Sequence, residues 1–281
     1  MTVDVADGVA DVRLNRPEKL NALDGEMFVA VADAAARLAR DRSVRAVVLS
    51  GEGPAFSAGL DVAAFRAGAP GGRGAGGGDG RPAGGGGEPG LLGPGSLGRT
   101  DGRTTHLGQQ AAHGWAEVPV PVIAAVWGHC LGGGLQIALG ADLRIVHPGA
   151  SLAVLEIRWG LSPDMTGTAT LPRLVGVDVA KELTWTGRTV SGTEAVELGL
   201  CTRTSEDPLA EALSLAWEIA GRSPRAVRGT KRLLEQSGRV PLAQQYADER
   251  RTVASLIGGP DQREAVAAFL GGRAPSFADP A

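Results

Sequence analysis

The chain is organised around Val120 to Gln136, where a short apolar run meets a glycine triplet. Val122, Ile123, Ala124, Ala125 and Val126 read as a short strand with apolar residues at every position. A turn follows, then Gly132, Gly133 and Gly134, then Leu135, Ile137, Ala138 and Leu139, crowded as in a buried helix. Glycines just ahead of a helix let a ligand approach the backbone closely, and the first N–H groups of that helix lack internal partners. Such a helix end favours negative charge, whether a phosphate or an oxyanion that develops during a reaction. On its own, the triplet is better explained as a tight strand-to-helix turn with no ligand.

A second stretch changes that balance. Phe56-Ser57-Ala58-Gly59-Leu60-Asp61 also follows an apolar strand, Ala46 to Leu49. Asn15-Arg16-Pro17 and Leu20-Asn21-Ala22 lie near the start, Leu155-Glu156-Ile157 past the middle, and Ala268-Phe269-Leu270 near the end. Each motif is weak alone. As a set they are specific, and the chain resembles the enoyl-CoA hydratase/isomerase (crotonase) family over nearly its whole length except roughly 67–105. The resemblance implies an α/β fold, a spiral of β-β-α units, with a C-terminal helical region that drives assembly into a homo-trimer or a hexamer of two trimers. The core is expected over 1–204 and the helical region over 205–281.

The same resemblance implies the chemistry. The substrate is an acyl-CoA thioester, with coenzyme A part of the substrate and no separate cofactor. Moving a proton at the thioester Cα generates an enolate-like oxygen, and two preorganised N–H donors can stabilise it. By resemblance these are the backbone N–H groups of Leu60 and Gly133, with Ala58, Gly59, Asp61 and Gly132 shaping the substrate site around them. Lys19, Leu20 and Ala22 lie where the family wraps the CoA adenine, largely through backbone atoms. Glu156 falls at the family's catalytic glutamate position, and Leu155, Ile157 and Trp159 suggest a semi-buried setting that would tune its pKa.

One departure matters. Hydratases of the family carry a second glutamate just after the glycine triplet, and this chain has Gln136 there. Glutamine can orient a water or a carbonyl but cannot exchange a proton at neutral pH. Asp164 follows Glu156 at the spacing found in the family's dienoyl-CoA isomerases, and it is equally well explained as a helix cap beside Pro163. A single glutamate also suffices for the 3-enoyl to 2-enoyl isomerases, so isomerisation is the easier chemistry here. The competing class is a non-catalytic relative that binds a CoA ester or RNA.

Charge and composition narrow the field. A net charge of −3 without a basic stripe argues against nucleic acid or an anionic membrane surface. No apolar run reaches the length of a membrane span, and the first residues lack the basic and apolar regions of a signal peptide. Cys130 and Cys201 have no disulfide or metal spacing and fit buried thiols of a cytoplasmic protein, and the four scattered histidines make a metal site unexpected. Lys231, Arg232 and Arg273 are candidates for the CoA phosphates by resemblance, although most such residues are simply solvated. Trp127 stands where the family has Asn; Trp115, Trp159, Trp185 and Trp217 read as packing, and His106, His113, His129 and His147 as residues without chemistry.

Local patterns fill in the rest. Val3 to Val5 and Ala10 to Leu14 alternate as strands around an Asp7-Gly8 turn. Asp24 is a fitting N-cap for a helix to about Arg40 that buries Phe28, Val31, Ala35 and Leu38. From Ala67 to Gly98, 16 of 32 residues are glycine and four are proline, too little apolar surface to offset ordering, so mobility is expected there. Strands are expected over Asp142 to Val146 and Ser151 to Ile157, a helix start at Ser162 to Asp164, and a capping box from Ser191 to Glu194. Helical periodicity runs through Pro208 to Gly221, Pro224 to Gln236 and Pro241 to Leu256.

Overall fold

The computed structural model describes residues 1–61 and 102–280, so the glycine-rich segment and the mobility expected of it lie outside the described residues. β1 (Thr2–Ala6) and β2 (Val9–Leu14) form the expected hairpin. Asp7 and Gly8 both take positive φ, 50° and 79°, which matches a two-residue turn to the twist of the strands. The chain then crosses over through α1 (Gly25–Arg40), capped by Asp24, whose carboxylate accepts from Met27 N–H at 2.8 Å. Phe28, Val31, Ala35 and Leu38 are buried as the periodicity requires.

β3 (Ala46–Gly51) lies parallel to β2, and β4 (Val122–Val126) lies parallel to β3. β6 (Leu143–Val146) and β9 (Arg203–Thr204) complete a six-stranded sheet in the order β1-β2-β3-β4-β6-β9. A second sheet takes β5 (His129–Leu131), β7 (Ser151–Ala153) and β8 (Val190–Ser191). Successive strand pairs thus give one strand to each sheet, β4 then β5 and β6 then β7, with helices between: the spiral of β-β-α units that the motifs implied.

The uniform apolar character of β4 has a direct cause: both of its faces are buried. Val122, Ala124 and Val126 join a core with α1, α2 (Leu107–Glu117) and α3 (Gly133–Leu139). Ile123 and Ala125 face the other way, with Val48 and Ile145, against Ala212, Ala216 and Ala220 of α7 (Pro208–Ala220). The chain beyond Thr204 is helical as expected, and α7, its first helix, forms one covering layer of the main sheet.

Several local expectations are corrected. The strand from Ser151 ends at Ala153, and Glu156–Trp159 is a 3-10 turn, so Glu156 opens a turn instead of closing a strand. No helix begins at Ser162 to Asp164. α4 (Gly167–Val175) starts later, behind Thr166 at φ 69°, so Asp164 is exposed and caps nothing. Ser191 caps α6 (Gly192–Glu197) through Glu194 N–H at 3.1 Å, but the Glu194 carboxylate turns to Arg188 instead of completing the box. Trp115 is fully buried, whereas Trp159 at 62%, Trp185 and Trp217 are exposed and are not core packing. α2 escaped the periodicity because its cap is His106, accepting from Gly108 N–H at 3.1 Å, and because glycines 108 and 114 interrupt it.

The remaining helices are α5 (Val177–Thr186), α8 (Pro224–Glu235), α9 (Leu242–Leu256) and α10 (Pro260–Leu270). Lys231 of α8 is buried: its Nζ donates to Val120 O at 3.0 Å and to Asp142 Oδ2 at 2.7 Å. Asp142 Oδ2 also accepts from Val122 N–H at 2.7 Å, so this pair pins the entry of the central strand. Lys231→Met leaves the half-buried Asp142 carboxylate without its cation and is expected to cost about 3 kcal/mol of unfolding free energy. Urea titration with a midpoint unchanged from the parent would contradict that role.

Candidate active site

The site forms where the two glycine turns meet. Ser57 N–H donates to His129 O at 2.8 Å and Leu131 N–H to Ser57 O at 3.0 Å, pairing the Phe56 to Asp61 stretch with β5. Gly59 has φ 86°, and a Cβ there would fall 2.6 Å from Leu131 O and 3.7 Å from Gly133 N. Only glycine lets the Leu60 turn come so close to the triplet. Gly132 follows β5 at φ 50°, ψ −121°, and Gly133 opens α3. Neither Leu60 N–H nor Gly133 N–H donates to any acceptor among the described residues. Two unengaged backbone donors on adjoining turns are what an oxyanion hole requires.

A clasp holds these turns together, and it gives the Asn15 to Ala22 motif its purpose. Asn21 is fully buried in the left-handed region, φ 55°, which asparagine tolerates better than most residues. Its Oδ1 accepts from Arg16 N–H at 2.8 Å, and its Nδ2 donates to Glu52 O at 2.9 Å and Ala55 O at 2.8 Å. Ser57 Oγ donates to Asn21 O at 2.8 Å and accepts from Gly59 N–H at 3.2 Å. Arg16 reaches Ala22 O at 2.6 Å and pairs with Asp61 at 3.2 Å. Arg16, Asn21 and Ser57 were missed as site-builders, although asparagine inside a turn-rich segment was a usable signal. Lys19 closes a 3-10 turn, Leu20 follows at φ 50°, and Ala58 N–H donates to Leu20 O at 2.8 Å.

Glu156 approaches from the other side. A Cβ built on Gly132 would lie 3.6 Å from Glu156 Oε1, so the carboxylate sits directly over the triplet. Glu156 Oε1 accepts from Gln136 Nε2 at 2.6 Å, while Oε2 is buried with no hydrogen-bond partner among the described residues. Burial pushes the Glu156 carboxyl above its ordinary range, and the nearby charge of Asp164 adds to that. The apolar surroundings do not come from Ile157 and Trp159, which are exposed; Met165 and Leu23, which crowd Gly133, supply apolar lining instead.

Gln136 is 2% exposed. Its Oε1 accepts from Met165 N–H at 3.0 Å and Gly167 N–H at 2.9 Å. Both lone pairs of that oxygen are therefore engaged within the protein. Lys231, engaged with Asp142 beneath the sheet, is not available to the CoA phosphates. Arg232 donates to Thr252 Oγ1 at 2.9 Å, and Arg273 forms a forked pair with Glu264 at 2.6 and 2.9 Å. Among the described residues, no group of three or more His, Cys, Asp or Glu side chains converges as metal ligands would.

Residues 9–216 match the enoyl-CoA hydratase/isomerase family. The chain is 36% identical to the mitochondrial enoyl-CoA hydratase domain-containing protein 2 of Bos taurus, over 96% of this chain and 84% of that protein. It is 33% identical to a probable enoyl-CoA hydratase of Rhizobium meliloti, over 99% of this chain and 97% of that one. The crystal structure of an enoyl-CoA hydratase from Bacillus anthracis superposes with a TM-score of 0.83 at 29% identity, covering 98% of each chain.

Proposed function

The chain belongs to the enoyl-CoA hydratase/isomerase family, and on that premise we propose that it shifts the double bond of a 3-enoyl-CoA thioester to the 2-position. One observation carries this choice within the family: Glu156 has a single buried oxygen without a partner among the described residues, and its hydrogen-bonding neighbour is a neutral amide instead of a second carboxylate. Hydration needs one group to take a proton from water while another gives one to Cα. Isomerisation needs one base that serves both carbons.

The steps balance on the residues present. Glu156 Oε2 takes the proton from C2, and the C–H electron pair moves into C1–C2 as the thioester oxygen becomes an enolate. The N–H groups of Leu60 and Gly133 hold that oxygen. The C3–C4 π pair then takes the proton from Glu156 at C4, the C1–C2 pair moves to make the C2–C3 double bond, and the enolate oxygen restores the thioester carbonyl. Binding of the CoA adenine by Lys19, Leu20 and Ala22 would set the thioester over the triplet. Ala58, Gly59, Asp61 and Gly132 shape the cradle.

Glu156 must be ionised to act as the base. Its carboxyl lies above the ordinary value of 4.5, so kcat/KM should fall as pH drops through that raised pKa, and the acid limb should lie above the usual carboxylate range. The same shift means the folded state binds this proton more tightly than the unfolded chain. The resulting cost to stability is absent below the unfolded pKa and grows as pH rises to the folded one. A pH–rate profile followed through the conjugated enoyl-thioester chromophore tests the limb; a limb at the ordinary carboxylate pKa would contradict it.

Exposed Val253, Ile257, Val266, Phe269 at 84% and Leu270 support a homo-trimer or hexamer that covers them. The buried free thiols of Cys130 and Cys201 suit a reducing compartment such as the cytoplasm. Hydration is the second reading, favoured by one observation: Asp164 lies near enough for its charge to act on Glu156. In that case Asp164 supplies the second carboxylate.

A further inference from the structure

We propose that Gln136 is a positioning residue: it fixes Glu156 in one orientation with one reacting oxygen, and it ties that orientation to the backbone of the Met165 to Gly167 segment. The proposal rests on the function assigned above and concerns the same site. Its basis is a buried side chain engaged at both its amide nitrogen and its carbonyl oxygen. Gln136 donates to Glu156 Oε1 at 2.6 Å and accepts from Met165 N–H at 3.0 Å and Gly167 N–H at 2.9 Å. A buried amide with both lone pairs used has one chemical option left toward Glu156, which is to donate. It therefore favours the ionised carboxylate, because a protonated Oε1 could not accept this bond as well.

The geometry extends past the pair. Gln136 is on α3, three residues beyond the Gly133 N–H, so a single short helix carries both an oxyanion donor and the brace of the base. The segment it holds includes Met165, whose sulfur would lie 3.0 Å from a Cβ on Gly133. Gly167 has no room for a side chain, since a Cβ would fall 2.7 Å from Gln136 Oε1. Asp164 sits immediately before this segment, so the amide also sets where the second nearby charge stands. The titratable group acting on Glu156 is thus Asp164, just ahead of the segment Gln136 holds, while α3 presents only the neutral amide.

Two variants separate positioning from bulk. Gln136→Glu keeps an acceptor for Met165 and Gly167 N–H, so the fold is retained, but sets a carboxylate against Glu156 Oε1. The protonation midpoint of Glu156 should rise by at least ~1 pH unit, tenfold in proton affinity. Gln136→Met removes the brace, and kcat should fall about 10²-fold while KM moves little. The midpoint is read in ligand-free protein from the infrared carboxylate stretch, assigned by its loss in Glu156→Gln. Turnover is read with 3-enoyl-CoA. An unshifted midpoint in Gln136→Glu, or a Gln136→Met enzyme with parental kcat, would overturn the proposal. A parent protein that leaves 3-enoyl-CoA unchanged would instead overturn the function, and the infrared midpoint would still decide the role of Gln136.

Discussion

Glu156→Gln should lower turnover of an acyl-CoA substrate by about 10²–10⁴-fold, the range expected for loss of a positioned general base. The change is nearly isosteric. The new side chain can keep a carbonyl oxygen toward Gln136 Nε2, which the carboxylate meets at 2.6 Å. The oxyanion donors, Asn21 clasp and glycine turns are untouched. Affinity for a non-reacting CoA ester should therefore stay within about threefold of the parent, the pattern of a group that acts mainly in the transition state. Calorimetry with a saturated acyl-CoA, beside a turnover assay, separates these quantities. Turnover retained in Glu156→Gln would remove the base from the account, and loss of binding and turnover together would recast Glu156 as a structural residue.

Gly133→Pro should be nearly as damaging, by a different route. Gly133 is the first residue of α3, where proline is tolerated because the N–H has no helical partner. The proline removes that N–H. Loss of one oxyanion donor costs about 10²–10³ in kcat. Sterics must be controlled, because a Cβ here would meet Met165 Sδ at 3.0 Å and Leu23 Cδ1 at 3.1 Å. Both are ends of flexible side chains and can yield. Gly133→Ala carries the same Cβ crowding with the N–H intact, so the Pro-to-Ala ratio of kcat removes the Cβ contribution and leaves the lost donor and the proline ring. A ratio near one in two folded variants would exclude Gly133 N–H from oxyanion stabilisation.

What could be read from the sequence was what local pattern encodes. β4 announced itself because both of its faces are buried, and α1 because its apolar residues and Asp24 cap agree. The glycines declare a close backbone approach, and the packing supplies its reason: a Cβ on Gly134 would lie 2.6 Å from Ser57 Cβ. Long-range hydrogen bonds left no such trace. Nothing near Gln136 says that its carbonyl is taken by Met165 and Gly167, and nothing near Lys231 says that it lies buried against Asp142. The motif marks Glu156, but the residues beside it in sequence, Ile157 and Trp159, do not supply its apolar surroundings. Sequence neighbours on a 3-10 turn face several directions, so Ile157 and Trp159 point to solvent while Glu156 is half-buried with its Oε2 turned inward. α2 was lost for a related reason: histidine is an uncommon cap, and its partner, Gly108, is a poor helix former.

The most direct test of single-base proton transfer is mass spectrometry of the products formed from a 3-enoyl-CoA in heavy water. The expected product is the 2-enoyl isomer, carrying deuterium at C2 or C4 to the extent that Glu156 exchanges its proton with solvent, with no water added and conversion slowed in Glu156→Gln as given above. A 3-hydroxyacyl-CoA as the main product would contradict it, because adding water needs a second proton-transfer group that Gln136, neutral and with both lone pairs engaged, cannot be.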